Sequence, residues 1–93
     1  MREIERTNQF RRDFKREKSG RLGRKLDALL LEALNLLADD KPLAPRYFDH
    51  ALTGEWGGFR DCHIRPDLVL IYEKPDGTTL RLIRLGSHSE LGL

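Results

Sequence analysis

Cysteine is almost absent from this sequence: Cys62 stands alone, so no internal disulfide can form and no second thiol exists to build a zinc or redox motif. Long apolar runs are also missing. Met1 to Thr7 alternates charges around Ile4, so neither a signal peptide nor a membrane span is expected there, and the cytoplasm is the expected compartment. No glycine-rich phosphate loop follows a strand pattern, and no helix pattern carries a His-Glu zinc motif. Phosphate-loop nucleotide hydrolysis and zinc-peptidase chemistry drop out, and neither a cofactor nor a structural metal is expected. The His and Asp spacing across His50, Asp61, His63 and Asp67 specifies no metal either. Net charge is only +2, which alone says little about nucleic acid.

What is present is one small domain covering residues 1–93, with 39% hydrophobic and 34% charged residues around a single modest core. Its charge is unevenly placed. Residues 1–25 hold ten Lys and Arg against four Asp and Glu, a net +6, whereas the remaining residues hold seven against eleven, a net −4. Such asymmetry fits a surface that faces a polyanion, and it equally fits a solvated helix face. A domain this size buries a limited fraction of its surface, so a partner covering exposed apolar area is a reasonable expectation.

The segment from Arg2 to Arg6 reads as an edge strand burying Ile4, and Thr7 or Asn8 can cap the helix that follows. Phe10 and Phe14 share one face of that helix, while Arg11, Arg12, Lys15, Arg16 and Lys18 occupy much of the rest. Ser19 is read as the N-cap of a second helix. Leu22, Leu26, Leu29, Leu30, Ala33 and Leu37 form its apolar stripe, and Pro42 ends it. Residues 41–58, with two prolines and three glycines, read as a long irregular loop. From Phe59 the period changes to two, placing Phe59, Asp61, His63 and Arg65 on one strand face and Arg60, Cys62 and Ile64 on the other.

Leu68 to Tyr72 is nearly continuous and β-rich, as a central strand covered on both faces should be. In Lys74-Pro75-Asp76-Gly77, proline occupies the first central turn position and glycine one that takes positive φ, which closes a hairpin onto a last strand from Thr78 to Leu85. The tail from Gly86 to Leu93 is too short and polar for another stable element. The order β-α-α-β-β-β predicts an α+β domain, with two helices on one face of a small, mainly antiparallel sheet and the other face available.

His50, His63 and His88 fall in the loop, a strand and the tail, and these regions can converge. Imidazole, with an ordinary pKa of about 6.5, accepts and donates protons near neutrality. Cleaving RNA without metal needs a base for the ribose 2′-OH, an acid for the departing 5′ oxygen and a cation for phosphate charge. Two histidines and an arginine supply these. Asp61 and Asp67 can orient neighbouring histidines, or serve only a strand and a turn. Arg84, on the face of Leu80 and Leu82, suits a phosphate or a strand-end salt bridge. Trp56 and Phe59 can stack on a base, although Trp56 fits better as a core plug.

The run Asp49-His50-Ala51-Leu52-Thr53-Gly54-Glu55-Trp56-Gly57-Gly58-Phe59-Arg60-Asp61-Cys62-His63-Ile64-Arg65-Pro66-Asp67-Leu68-Val69-Leu70-Ile71-Tyr72, with the later Arg84-Leu85-Gly86-Ser87-His88, resembles the YafQ branch of the RelE/ParE toxin superfamily. The match spans most of residues 42–90. The helical half resembles the family in layout more than in sequence.

The resemblance implies a RelE-like fold and a ribosome-dependent, metal-independent mRNA endonuclease that acts in the ribosomal A site and is neutralised by a cognate antitoxin. It implies an acid-base group of His50, His63, Asp67 and His88, with Asp61 orienting and Arg84 binding phosphate. It also turns the basic helix, with Arg11, Arg12, Lys15 and Arg16, into a candidate contact for ribosomal RNA. The alternative is a ParE-like toxin that inhibits a protein target such as gyrase without catalysis. One departure stands out: the family pattern carries an aromatic residue four positions after the last histidine, where this sequence has Gly92.

Overall fold

The computed structural model describes residues 1–93. Strand β1 (Glu3–Arg6) leads into α1 (Asn8–Lys18) and α2 (Lys25–Ala38); β2 (His50–Ala51), β3 (Arg60–Arg65), β4 (Leu68–Glu73), β5 (Thr79–Gly86) and α3 (His88–Leu91) follow. The sheet runs β1-β5-β4-β3-β2. Only β1 pairs in parallel, with Ile4 opposite Leu80. β1 lies at the sheet edge, as its charged alternation predicted. The α+β class and the order of helices and long strands agree with the sequence reading. No helix is long and apolar enough to cross a membrane.

Local chemistry explains most boundaries. The Thr7 side chain accepts from the Phe10 N–H at 3.1 Å, capping α1. Ser19 ends α1 rather than starting α2: its N–H and hydroxyl both donate to the Lys15 carbonyl, at 3.2 and 3.0 Å. Gly23 then takes a positive φ of 50°, so α2 begins only at Lys25 and has no side-chain cap. Leu22, expected within α2, still packs against the core from this turn. At the other end of α2, Asp40 adopts φ 54°, and the N–H groups of Asp40 and Lys41 donate to the carbonyls of Leu37 and Leu36. This left-handed cap stops the helix before Pro42.

Both helices cover one sheet face. Phe10, Leu26, Leu30, Ala33, Leu34 and Leu37 meet Cys62, Leu70, Tyr72, Leu80, Leu82 and Leu85 in the main core. Each such leucine, fully buried, stabilises the fold by roughly 1.5–3 kcal/mol before chain entropy is counted. The opposite face is not left open. Val69, Ile71 and Leu91 form a second cluster under Leu52, Trp56, Phe59 and Ile83. The segment read as an irregular loop contributes turns of 3₁₀ helix at Pro45–Tyr47 and Gly54–Trp56, as well as β2. The tail, expected to be unstructured, forms α3 under a capping box between Ser87 and Glu90.

Two further details differ from expectation. Gly77 does not take positive φ; the β4–β5 turn is closed by the Asp76 carboxylate, which accepts from the N–H and hydroxyl of Thr78 at 2.9 and 3.1 Å. A register shift in β5 pairs Ile71 with Arg84 but Tyr72 with Leu82. The bulge reverses the alternation, so Leu85, not Arg84, joins Leu80 and Leu82 in the core.

Candidate active site

The three histidines converge on the sheet face opposite the helices. β2 pairs with β3 so that His50 lies opposite Asp61. That placement is fixed from both sides. Asp49 accepts from the Tyr72 hydroxyl at 2.6 Å and lies 3.4 Å from Arg60 Nε, anchoring the start of β2. On β3, Cys62 turns into the core, and alternation therefore sends Asp61 and His63 to the opposite face. The His63 ring centre lies 6.5 Å from that of His50 and 5.0 Å from that of His88.

His88 opens α3, and Asp67, in the turn between β3 and β4, holds it. One Asp67 oxygen accepts from His88 Nδ1 at 2.7 Å and from the His88 backbone N–H at 3.0 Å. These two bonds, led by the one from the imidazole, draw the Asp67 carboxyl below its ordinary value of 3.8, so it stays ionised near neutrality. An ionised carboxylate only accepts, which makes His88 Nδ1 the protonated nitrogen. His50 is oriented the same way. Its Nδ1 lies 2.8 Å from the Phe48 carbonyl, another group that only accepts, and Nε2 is left for chemistry.

Asp61 is buried to 2% exposure. Its Oδ1 lies 3.0 Å from His50 Nδ1 but makes no hydrogen bond, because the single Nδ1 proton is directed at Phe48. Burial pushes the Asp61 carboxyl above its ordinary value, and the positive charge that His50, His63 and His88 can carry pulls it partly back. The cleft therefore contains a desolvated carboxylate whose remaining compensation is the charge of the histidines around it. Phe48, His50, Asp61, His63 and His88 line this cleft, together with Trp56, Gly92 and Leu93. A more apolar groove between α1 and α2 contains no histidine.

Arg84 is placed apart from these residues, beside Asp13 of α1. Its Nε lies 2.7 Å from Asp13 Oδ2. Asp13 is wholly buried and also accepts from the Leu85 N–H at 3.0 Å and from Arg16 Nη1 at 3.0 Å. Burial alone would raise the Asp13 carboxyl, but bonds from Arg84, Leu85 and Gln9 outweigh it and bring the carboxyl below its ordinary value. Arg16 continues the chain of contacts by donating to the Leu85 carbonyl at 2.8 Å and lying 3.4 Å from Glu90 of α3. Of the four basic residues singled out on α1, Arg16 is thus tied into the fold, while Arg11, Arg12 and Lys15 are exposed.

Asp13, Glu90 and Phe48 were missed by sequence reasoning. A signal for Asp13 existed, since it sits on the Phe10–Phe14 face of an otherwise basic helix. Trp56 behaves as a plug: its Nε1 donates to the Leu91 carbonyl at 3.0 Å, and its ring meets Phe59 edge-on.

Comparison with known proteins agrees with this architecture. The family described as "Bacterial toxin of type II toxin-antitoxin system, YafQ" matches residues 2–92. The mRNA interferase toxin YafQ of Escherichia coli K12 is 38% identical over 92 residues, covering 98% of this chain and 96% of that protein. Among solved structures, a metal-bound toxin from Helicobacter pylori superposes with a TM-score of 0.81 at 44% identity, covering 98% of this chain and 99% of the other. YafQ from the E. coli DinJ-YafQ toxin-antitoxin complex superposes at 0.77 with 35% identity, covering 97% and 96%. The Helicobacter toxin is described as metal-bound, but here no three His, Cys, Asp or Glu side chains are arranged to hold an ion. With a family match over nearly its whole length and relatives above 30% identity at full coverage, this chain belongs to the YafQ family of type II toxin-antitoxin toxins.

Proposed function

We propose that this protein is an endoribonuclease that cleaves mRNA in the ribosomal A site, without metal, by attack of a ribose 2′-OH on the adjacent phosphate. The observation that carries this reading is the convergence of His50, His63 and His88 in one cleft, with Asp67 and Asp61 beside two of them. One imidazole accepts the 2′-OH proton. The 2′ oxygen bonds to phosphorus, the bond to the 5′ oxygen breaks, and a second imidazole, as its cation, protonates that oxygen. The products are a 2′,3′-cyclic phosphate and a 5′-hydroxyl. Asp67 presents His88 to the phosphate through Nε2, and the negative potential of Asp61 favours positive charge among the histidines as the phosphate develops its own.

Arg84, paired with Asp13, acts in this mechanism mainly by holding the strand end that leads to His88. Arg11, Arg12 and Lys15 supply the exposed charge for ribosomal RNA, so the protein works in the cytoplasm. A cognate antitoxin neutralises it, as the DinJ-YafQ assembly of a relative suggests. Mapping of mRNA 5′ ends in a translating extract, with intact and with dissociated ribosomes, tests the proposal. Cuts inside codons that vanish on dissociation are the expected result; cuts independent of ribosomes, or none, overturn it.

A further inference from the structure

Phe48 is 62% exposed, an unusual state for a phenylalanine in so small a fold, and it stands at the mouth of the histidine cleft. Its backbone has φ 45° and ψ 48°, a left-handed conformation that bulky residues rarely adopt. Two hydrogen bonds hold it there: its N–H donates to the Pro45 carbonyl at 3.0 Å, and its own carbonyl receives His50 Nδ1. The ring centre lies 4.8 Å from the His50 ring and 5.6 Å from the His63 ring, the latter edge-on. Its remaining face is open to solvent. Trp56 also lines the cleft, but its indole is held by the Nε1 bond to the Leu91 carbonyl and by packing over Leu91, whereas the Phe48 ring is bound by no such contact.

We propose that Phe48 is the nucleobase platform of this cleft, stacking a base of the nucleotide whose phosphate the histidines cleave. The proposal rests on the endoribonuclease reading above. An RNA phosphate placed among these imidazoles brings its base within one nucleotide of the Phe48 ring, and every base offers a π-face to such a ring. The same backbone carbonyl that fixes the ring also sets the tautomer of His50, so substrate position and proton position share one strained residue.

Two variants test the role. Phe48→Asn removes the ring but tolerates the left-handed backbone, and Phe48→Trp enlarges the ring. On programmed ribosomes, Phe48→Asn should raise the toxin concentration needed for half-maximal cleavage by roughly 5- to 150-fold, the range expected for losing one stacked base. The pH profile should keep its position, the loss should be larger at purines than at pyrimidines, and Phe48→Trp should restore cleavage. A ribosome-free arm follows the fluorescence of Phe48→Trp against a trinucleotide RNA carrying a 2′-deoxy sugar at the scissile step. Quenching beyond that of wild type supports stacking.

Equal concentration dependence for wild type and Phe48→Asn overturns the proposal, as does failure of Phe48→Trp to restore what Phe48→Asn loses. Intact cleavage by Phe48→Asn with lost antitoxin binding would make the ring a protein contact instead. If wild type makes no ribosome-dependent cuts yet Phe48→Trp is quenched, the function reading fails and the platform stands; without quenching, both fail.

Discussion

Replacing Asp13 by Asn keeps the shape of a fully buried side chain while removing the charge that opposes Arg84 and Arg16. An amide can still accept at one oxygen, but its NH₂ group then faces donors. Removing one partner of a buried pair costs about 3–5 kcal/mol, because the other charge is left uncompensated. Here the lower end applies. Arg84 is 23% exposed and can take up water, and Arg16 keeps Glu17 and Glu90 within 3.0 and 3.4 Å. About 3 kcal/mol in a domain of this size corresponds to a fall in Tm of roughly 12–24 °C.

Thermal unfolding followed by circular dichroism at pH 7 measures that fall; a drop under about 4 °C would refute the assignment of Asp13 as the buried anchor of β5. A pH series adds a second check. The Asp13 carboxyl is held below its ordinary 3.8 in the fold, so its stabilisation is complete above that value and declines as pH falls through 3.8 toward the lower folded value. The gap between wild type and Asp13→Asn should therefore be wide at pH 7 and narrower at pH 3.

Replacing His88 by Ala should lower cleavage by roughly 10²- to 10⁴-fold with little change in Tm, and Asp67→Asn should lower it less; primer extension on programmed ribosomes reads both. Wild-type cleavage should follow a bell-shaped pH profile near neutrality, and a flat profile from pH 5 to 9 would argue against paired imidazoles. Substituting Arg11, Arg12 and Lys15 together by Ala should weaken ribosome association and flatten its log-log salt dependence by up to about 3, measured by co-sedimentation across a salt series. Arg16→Ala should instead lower Tm, since its guanidinium bonds the Leu85 carbonyl and Asp13. Burial pushes the Cys62 thiol far up, so iodoacetamide should label it only after denaturation; labelling of the native protein would show that β3 opens.

Much of the fold was legible because its signals are local. A four-and-three leucine spacing marks one helix face whatever it packs against, so the body of α2 was read correctly; a run such as Leu68 to Tyr72 marks a strand buried on both sides. Thr7 caps α1 through a bond to a residue three positions on. The strongly patterned stretch from Asp49 to Tyr72, with the later run from Arg84 to His88, also marked the family, and that resemblance named His50, Asp61, His63, Asp67, Arg84 and His88 before any geometry was known.

Elements too short to stand alone were not legible. β2, with two residues, exists because Asp49 is tied to Tyr72 across the sheet, and α3, with four, because Leu91 is buried against Val69 and Ile71. Period-two counting put Arg84 on the core face; a bulge, which depends on how β5 meets β4, reversed it. The roles of Asp13 and Phe48 were likewise beyond local reading. A carboxylate on a basic helix looks solvated until a strand edge and an arginine 71 residues away close over it, and a phenylalanine in a loop looks like core until its backbone turns left-handed and leaves it in water. The periodic elements and the chemical groups available are written locally in the chain, because hydrogen-bond and hydrophobic periods act between near neighbours. Which charges are desolvated, which nitrogen of His88 carries the proton and which ring remains free emerge only in the folded molecule, since each depends on contacts between distant parts of the chain.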